Sequence, residues 1–177
     1  MVPARIRLTL EMHLLPAQWT RTAPGKGPAY LRFLERLKGK RRRKALELLP
    51  GLHQEAFSCI NCRQCANCCK TISPRFKTPD IKRIARNLGI RESELIQRYL
   101  KLDEEGDYVV QSTPCPFLGE DLSCTIYEAR PGDCRNYPYT DRDVFLDRPQ
   151  VTRQNAVVCP AVFYVLEKLM EIPELGS

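Results

Sequence analysis

The chain has 177 residues, of which 43% are hydrophobic and 28% are charged, and its formal net charge is +7. This length predicts one domain, or one domain with an appendage, and the apolar fraction is sufficient for a core. There is no apolar run of about 18 residues, which excludes a predicted membrane-spanning helix. The positive charge is uneven, because residues 1–58 carry 12 Lys or Arg against 4 Asp or Glu, whereas residues 59–177 carry 16 against 17.

The first predicted element is a strand over residues 1–15, where apolar and polar residues alternate. This segment lacks the continuous apolar stretch of a secretory signal, so we expect a cytoplasmic location. Residues 16–28 are rich in proline, glycine and threonine and predict a loop. A helix is predicted over residues 28–49, because Pro28 suits a first helical position and apolar residues follow at helical spacing.

A basic run interrupts this helical pattern at residues 38–44, where six of seven residues are Lys or Arg. One interpretation is a surface that contacts the phosphates of a nucleic acid, or a protein partner. The other is a solvated helix face or a flexible arm, since no aromatic residues lie between the basic ones to stack on bases.

The second half of the chain predicts short helices joined by irregular segments. Two helices are predicted over residues 79–100, the first beginning at Thr78-Pro79-Asp80 and ending at Gly89. They form either a common packing unit or a helix-turn-helix that contacts DNA. In the second case the contacts would be Arg86, Arg91 and Arg98. A short strand follows near residues 108–111, then an irregular stretch over 113–154 and an amphipathic helix over 160–171.

Nine cysteines dominate the chemistry of this sequence. In a reducing compartment disulfides are rare, and clustered cysteines more often bind metal. Cys59, Cys62, Cys65 and Cys69 follow the spacing C-x2-C-x2-C-x3-C, which is that of bacterial ferredoxins. The spacing favours an iron–sulfur cluster, of the 4Fe-4S type, over zinc, which usually takes two separated cysteine pairs. The predicted metal ligands are Cys59, Cys62, Cys65, Cys68, Cys69, Cys115, Cys124, Cys134 and Cys159.

The cysteines between Phe57 and Pro160 lie in several distinct sequence blocks. The first block is Cys62-x2-Cys65-x2-Cys68-Cys69, and the second is Cys115-Pro116-Phe117-Leu118. The third combines Cys124-Thr125-Ile126-Tyr127, Arg130-Pro131 and Cys134-Arg135-x-Tyr137-Pro138, and Cys159-Pro160 follows as a late cysteine. In combination they resemble the CxxCxxCC (YkgJ-type) cysteine-cluster family, described as zinc- or iron-chelating and including the larger flagellin lysine N-methylase. The resemblance implies a metal site but no particular activity. Cys59 is extra to the family pattern, so the family and ferredoxin readings differ on Cys59 and Cys68.

These observations predict a mainly α, small, loop-rich domain with minor β, stapled by a cysteine-ligated metal centre. Residues 1–56 would form a basic extension with one helix, and residues 57–177 the metal-binding domain. Arg130 and Arg135 are predicted to donate hydrogen bonds to bound sulfur, or to pair with nearby acids. The favoured function is an iron–sulfur protein with a structural, redox or accessory role. The alternatives are a zinc-binding adaptor that contacts nucleic acid through the basic third, and a component of a protein-modifying methyltransferase.

Overall fold

The structure, a computed structural model, describes residues 15–176, with side chains from Trp19 onward. The strand predicted over residues 1–15 lies, apart from its last residue, outside this range. The described elements run in chain order as follows: α1 (Leu15–Arg36), α2 (Gly39–Phe57), α3 (Cys62–Cys65), α4 (Asn67–Thr71), α5 (Thr78–Leu88), α6 (Glu92–Tyr99), β1 (Leu100–Leu102), β2 (Tyr108–Val110), a 3-10 turn (Tyr127–Ala129), α7 (Gly132–Asn136), α8 (Val144–Asp147), α9 (Pro149–Asn155), α10 (Pro160–Met170) and α11 (Pro173–Gly176). The prediction of a mainly α fold with minor β is confirmed.

Two compact units share the chain. Among the described residues, the first unit comprises 15–60 and 138–176, and the second unit comprises 61–137. The predicted division into a basic extension over residues 1–56 and a metal-binding domain over residues 57–177 stays a prediction. Of the helices that the structure describes, none has both the length and the apolarity that a membrane crossing requires.

In the first unit α10 is the central helix, packed against α1 and α2. Its residues from Pro160 to Leu166 are all buried, and Leu169 is buried one turn later. The predicted helix is therefore confirmed, but it is apolar around most of its circumference rather than on one face. A helix of this kind needs partners on several sides, which the two long helices supply.

The loop predicted over residues 16–28 is wrong, because α1 runs through it despite Pro24 and Pro28 inside the helix. Each proline removes one helical hydrogen bond. Both prolines are exposed, so water can satisfy the carbonyl oxygens that they leave without a donor. The opposite face is held in place: Trp19 and Tyr30 are buried, and the Trp19 indole N–H donates to the carbonyl of Ala156 at 2.7 Å.

In the second unit α5, α6 and β2 lie where the sequence predicted them, whereas α7 falls within the stretch predicted to be irregular. Helix α5 begins at Thr78 and ends at Gly89, whose φ of +67° is the left-handed conformation that glycine adopts most readily. Strands β1 and β2 form an antiparallel pair in which Leu100 faces Val110. These elements enclose a small apolar core of Phe76, Ile81, Ile84, Ala85, Leu95, Leu100, Val110, Phe117, Ile126 and Ala129.

Candidate metal centre

Two single-turn helices present the first group of cysteines. Helix α3 carries Cys62 and Cys65, and the Asn61 side chain caps it by accepting from the Arg63 backbone N–H at 3.0 Å. The chain then turns at Ala66, whose φ of +50° is left-handed, and α4 begins at once with Cys68 and Cys69 in its first turn. The reversal brings the thiols of both turns together.

Cys69 is the electrostatic centre of these thiols. The Cys68 thiol hydrogen-bonds to Cys69 and, with Lys70, lowers its pKa to about 7 against the opposing effect of burial. Burial raises the pKa of Cys62, and the neighbouring charges of Cys65 and Cys69 raise it further. One thiolate is thus favoured at Cys69, while Cys62 resists becoming charged beside it.

Two later cysteines, Cys115 and Cys124, lie near Cys69, and backbone N–H groups donate to the thiols of both. The Cys115 N–H donates to the Cys69 carbonyl at 2.8 Å. The Phe117 N–H donates to the Cys115 thiol and the Ile126 N–H to the Cys124 thiol, which favours the thiolate form at both. Burial outweighs these bonds, raising the pKa of Cys115 to about 11 and that of Cys124 as well, and the Cys69 charge adds to both shifts.

Cys134, on α7, completes the group. Burial raises its pKa to about 12, and the charges of Cys69, Cys115 and Cys124 contribute to the increase. The structure therefore brings together cysteines from three separate sequence blocks. All seven of these thiols lie in the second unit: Cys62, Cys65, Cys68, Cys69, Cys115, Cys124 and Cys134.

A buried carboxylate that the sequence did not reveal as part of the site holds the segment before Cys134. Asp80 Oδ1 accepts from the Gly132 N–H at 3.1 Å and from Arg83 Nη2 at 2.6 Å, while its Oδ2 accepts from the Lys77 N–H at 3.1 Å. Arg83 in turn donates to the carbonyls of Ala129 and Arg130 at 3.2 and 2.9 Å. The start of α5 is thereby tied to the loop that enters α7. The sequence predicted Asp80 only as a helix-start residue.

Arg130 and Arg135 do not pair with acids among the described residues; both donate to backbone carbonyls. Arg130 donates to the Tyr127 carbonyl at 2.6 Å, and its guanidinium lies 3.8 Å from the centre of the Tyr127 ring. Its charge also acts to lower the pKa of Cys124. Arg135 donates to the Glu128 carbonyl at 3.3 Å. The predicted hydrogen bonds from these arginines to bound sulfur stay a prediction.

The remaining two cysteines lie in the first unit. Cys59 is exposed, with its sulfur 3.5 Å from the Ser58 hydroxyl oxygen. Cys159 is buried at the start of α10. His53 places Nδ1 2.8 Å from the Thr140 hydroxyl, and its ring packs at a tilt against that of Phe57.

The donor set in the second unit fits a metal centre in chemistry, although its side chains are not yet closed around one point. Among the residues that the structure describes, no three His, Cys, Asp or Glu side chains already converge closely enough to hold a metal ion. Nevertheless none of the nine cysteines forms a disulfide, and soft thiolates select zinc, copper(I) or iron–sulfur clusters. When several thiols oppose one another's ionisation, a bound cation stabilises their thiolate forms.

Comparison with known proteins agrees with this geometry. Residues 61–160 match the family model described as "CxxCxxCC: Putative zinc- or iron-chelating domain". The chain belongs to the CxxCxxCC family. No curated protein and no solved structure matches the chain. The CxxCxxCC match covers all seven thiols of the second unit and Cys159, and it begins after Cys59.

Proposed function

We propose that this CxxCxxCC protein is an iron–sulfur protein whose second unit holds the cluster through its cysteines. The observation that carries the proposal is the arrangement of thiols around Cys69, whose charge acts on the pKa values of Cys62, Cys115, Cys124 and Cys134. Without a bound cation the raised pKa values keep these four thiols protonated, whereas a cation among them would favour their thiolate form.

Iron and sulfide are favoured over a single zinc ion for two reasons. A structural zinc site is closed by four ligands, usually from two separated pairs, whereas this unit offers closely spaced thiols from three blocks. The backbone N–H groups of Phe117 and Ile126 that donate to sulfur are also a means by which proteins tune clusters. When bound, such a group would supply either electron transfer or a structural staple. A reducing, cytoplasmic setting is part of the proposal, because it keeps the thiols available.

The candidate ligands are the seven cysteines of the second unit, which are more than the four that one cluster needs. Cys59 and Cys159 are not part of the proposal. Cys134 is the sharpest position to test, because the hydrogen bonds of Asp80 and Arg83 hold the segment before it. Cys59 offers a matched control, because it is an exposed cysteine of the same chain.

The experiment is metal analysis of anaerobically purified protein, with iron, acid-labile sulfide and zinc all quantified. We expect coloured protein that contains iron and sulfide, Cys134→Ala to lose both, and Cys59→Ala to keep both. Colourless protein with stoichiometric zinc and no sulfide would refute the iron–sulfur cluster and indicate a zinc site instead. Equal metal loss in Cys59→Ala would favour the ferredoxin spacing and overturn the restriction to the second unit.

A further inference from the structure

The metal centre does not use the strongest charge feature of this molecule, which lies in the first unit. Between Arg32 and Lys44, eight of thirteen residues are basic and one is acidic, so this stretch carries +7, as much as the formal net charge of the whole chain. We call it the basic corner, because it joins the end of α1 to the start of α2 through Gly39, whose φ is +52°. It is therefore an ordered turn between two helices rather than a flexible arm.

Seven of the eight basic side chains are exposed, namely Arg32, Arg36, Lys38, Lys40, Arg41, Arg43 and Lys44. The eighth, Arg42, is half-buried and pairs with Asp147 at 2.6 Å. None of the other seven forms an ion pair with another described residue. Most of this charge therefore faces water without a partner from the described chain.

The placement opposes helix stability. The beginning of a helix is its positive end, and acidic residues are favoured there. Helix α2 instead begins with a run of basic residues, has no acid in its first turn and no side-chain cap from Lys38. The pairs Arg32 and Arg36, and Lys40 and Lys44, also place like charges four residues apart on one helix, which is unfavourable. Local rules broken without compensation within a fold are typical of a functional surface.

We propose that the basic corner binds the phosphate backbone of a nucleic acid, without reading its sequence. Lys and Arg side chains together with the N–H groups at a helix N-terminus are donors for phosphate oxygens. The apolar residues of the corner, Phe33, Leu34 and Leu37, are all buried, so its only aromatic ring, that of Phe33, is not available to stack on bases. Their burial also disfavours a lipid surface, because interfacial helices insert apolar side chains between lipids.

The test measures binding of the full-length, anaerobically purified protein to a short labelled DNA duplex of mixed sequence and to its RNA counterpart, over a range of salt concentrations. The variant is Lys40→Gln, Arg41→Gln, Arg43→Gln and Lys44→Gln combined. The matched control is Lys82→Gln, Arg86→Gln, Arg91→Gln and Lys101→Gln combined, which removes four exposed basic residues from the second unit. Both variants change the net charge equally and affect only exposed side chains, and circular dichroism checks that both fold.

For the wild type, we expect binding at low salt that weakens steeply as salt increases. Each phosphate contact contributes about 0.9 to the slope of log affinity against log salt on duplex DNA. The corner variant should lower that slope by about 3 and bind on the order of 10-fold or more weakly at low salt, whereas the control should stay within about 3-fold of wild type. Metal content should be unchanged in both variants.

Three results would overturn the proposal. The first is no binding by the wild type at low salt. The second is a loss in the control as large as in the corner variant, which would reflect net charge alone, or a larger loss there, which would favour the α5–α6 helix-turn-helix contacts at Arg86 and Arg91. The third is corner-dependent binding to vesicles that contain anionic lipid without binding to nucleic acid.

Discussion

At the residue scale, Asp80 is the side chain whose role is most sharply defined by its contacts. Among the described residues it is the only charged side chain that is buried, and its carboxylate accepts from two backbone N–H groups and the Arg83 guanidinium. A buried carboxylate is tolerated when its oxygens are satisfied in this way. Its link to Gly132 spans 52 residues of sequence and leads to Cys134 two residues later.

We expect Asp80→Asn to weaken both the fold of the second unit and its metal centre. The amide has a single acceptor oxygen, so one backbone N–H or Arg83 loses its partner, at a cost of about 2 kcal/mol in the free energy of unfolding. Because the loop before Cys134 is then less well held, metal affinity should fall by about 10-fold. Hydrogen exchange of the α5 and α7 amides and a competitive metal titration measure the two effects.

A matched control for this substitution is Asp107→Asn. Asp107 also pairs with an arginine, Arg75, but at 3.4 Å and with both side chains substantially exposed. An ion pair of this kind contributes roughly 0–1 kcal/mol. If both substitutions lowered metal affinity equally, the change in overall charge would explain the effect and the positioning role of Asp80 would be refuted.

The sequence predicts candidate ligands better than it predicts what positions them. The spacing of Cys62, Cys65, Cys68 and Cys69 is local, so they could be recognised as a group without any knowledge of the fold. Asp80 and Arg83 act on a loop about fifty residues away, and their pattern in the sequence is that of an ordinary helix start. Only the fold brings the two segments together.

At the element scale, glycine has opposite effects on stability at the end of a helix and inside one. Gly89 closes α5 with φ +67°, and the next N–H, from Ile90, bonds to the Ala85 carbonyl at 3.1 Å. Gly51 lies inside α2 and has no positive φ. A Cβ atom added at either glycine would meet nothing within 4 Å. The two positions therefore differ in backbone conformation and not in available space.

We expect Gly89→Ala to destabilise α5 by about 1 kcal/mol, because alanine is strained in the left-handed region. Gly51→Ala should instead stabilise α2 by about 0.5–1 kcal/mol, because alanine loses less backbone entropy in a helix. Native-state hydrogen exchange of the α5 and α2 amides reads the two effects separately. Destabilisation of α2 by Gly51→Ala would contradict the helical conformation assigned to that position.

The two long helices of the first unit, α1 and α2, show where proline and glycine signals are an insufficient guide. Pro24 favoured a loop, Pro28 favoured a helix start, and the predicted helix ended at residue 49 before Pro50-Gly51. Helices α1 and α2 nevertheless continue through these positions. Local propensity was outweighed by packing, because both helices contact the apolar α10. In the second unit, by contrast, Thr78-Pro79-Asp80 and Gly89 agree with the packing, and the bounds of α5 could be predicted to within a residue or two.

At the scale of the whole molecule, the two units have unequal resources for stability. The first unit surrounds α10 with large buried side chains, among them Tyr30, Leu49, Leu166 and Leu169. The second unit has a smaller core, and residues 111–137 within it consist mostly of turns and two short helical segments. Ordering such a segment costs conformational entropy that apolar burial offsets only in part. Ligand bonds from Cys115, Cys124 and Cys134 would contribute the remainder.

Metal removal should therefore loosen residues 111–137 and leave the first unit folded. After chelation under anaerobic conditions, we expect trypsin to cleave rapidly after Arg135, while cleavage there stays slow in the metal-loaded protein. The single tryptophan, Trp19, reports on the first unit, because it is buried and its indole N–H is bonded to Ala156. Its fluorescence should keep the same emission maximum before and after chelation.

The cleavage rates test whether metal binding is coupled to the folding of residues 111–137, and the Trp19 emission tests whether the first unit depends on the metal. Equal cleavage rates with and without metal would contradict the coupling of metal binding to the folding of residues 111–137, even if the protein contains a cluster. A red shift of Trp19 emission in step with the cleavage would show that the first unit depends on the metal as well. The expected combination, fast cleavage with unchanged Trp19 emission, requires that burial around α10 is sufficient for one unit while thiolate ligation is needed for the other.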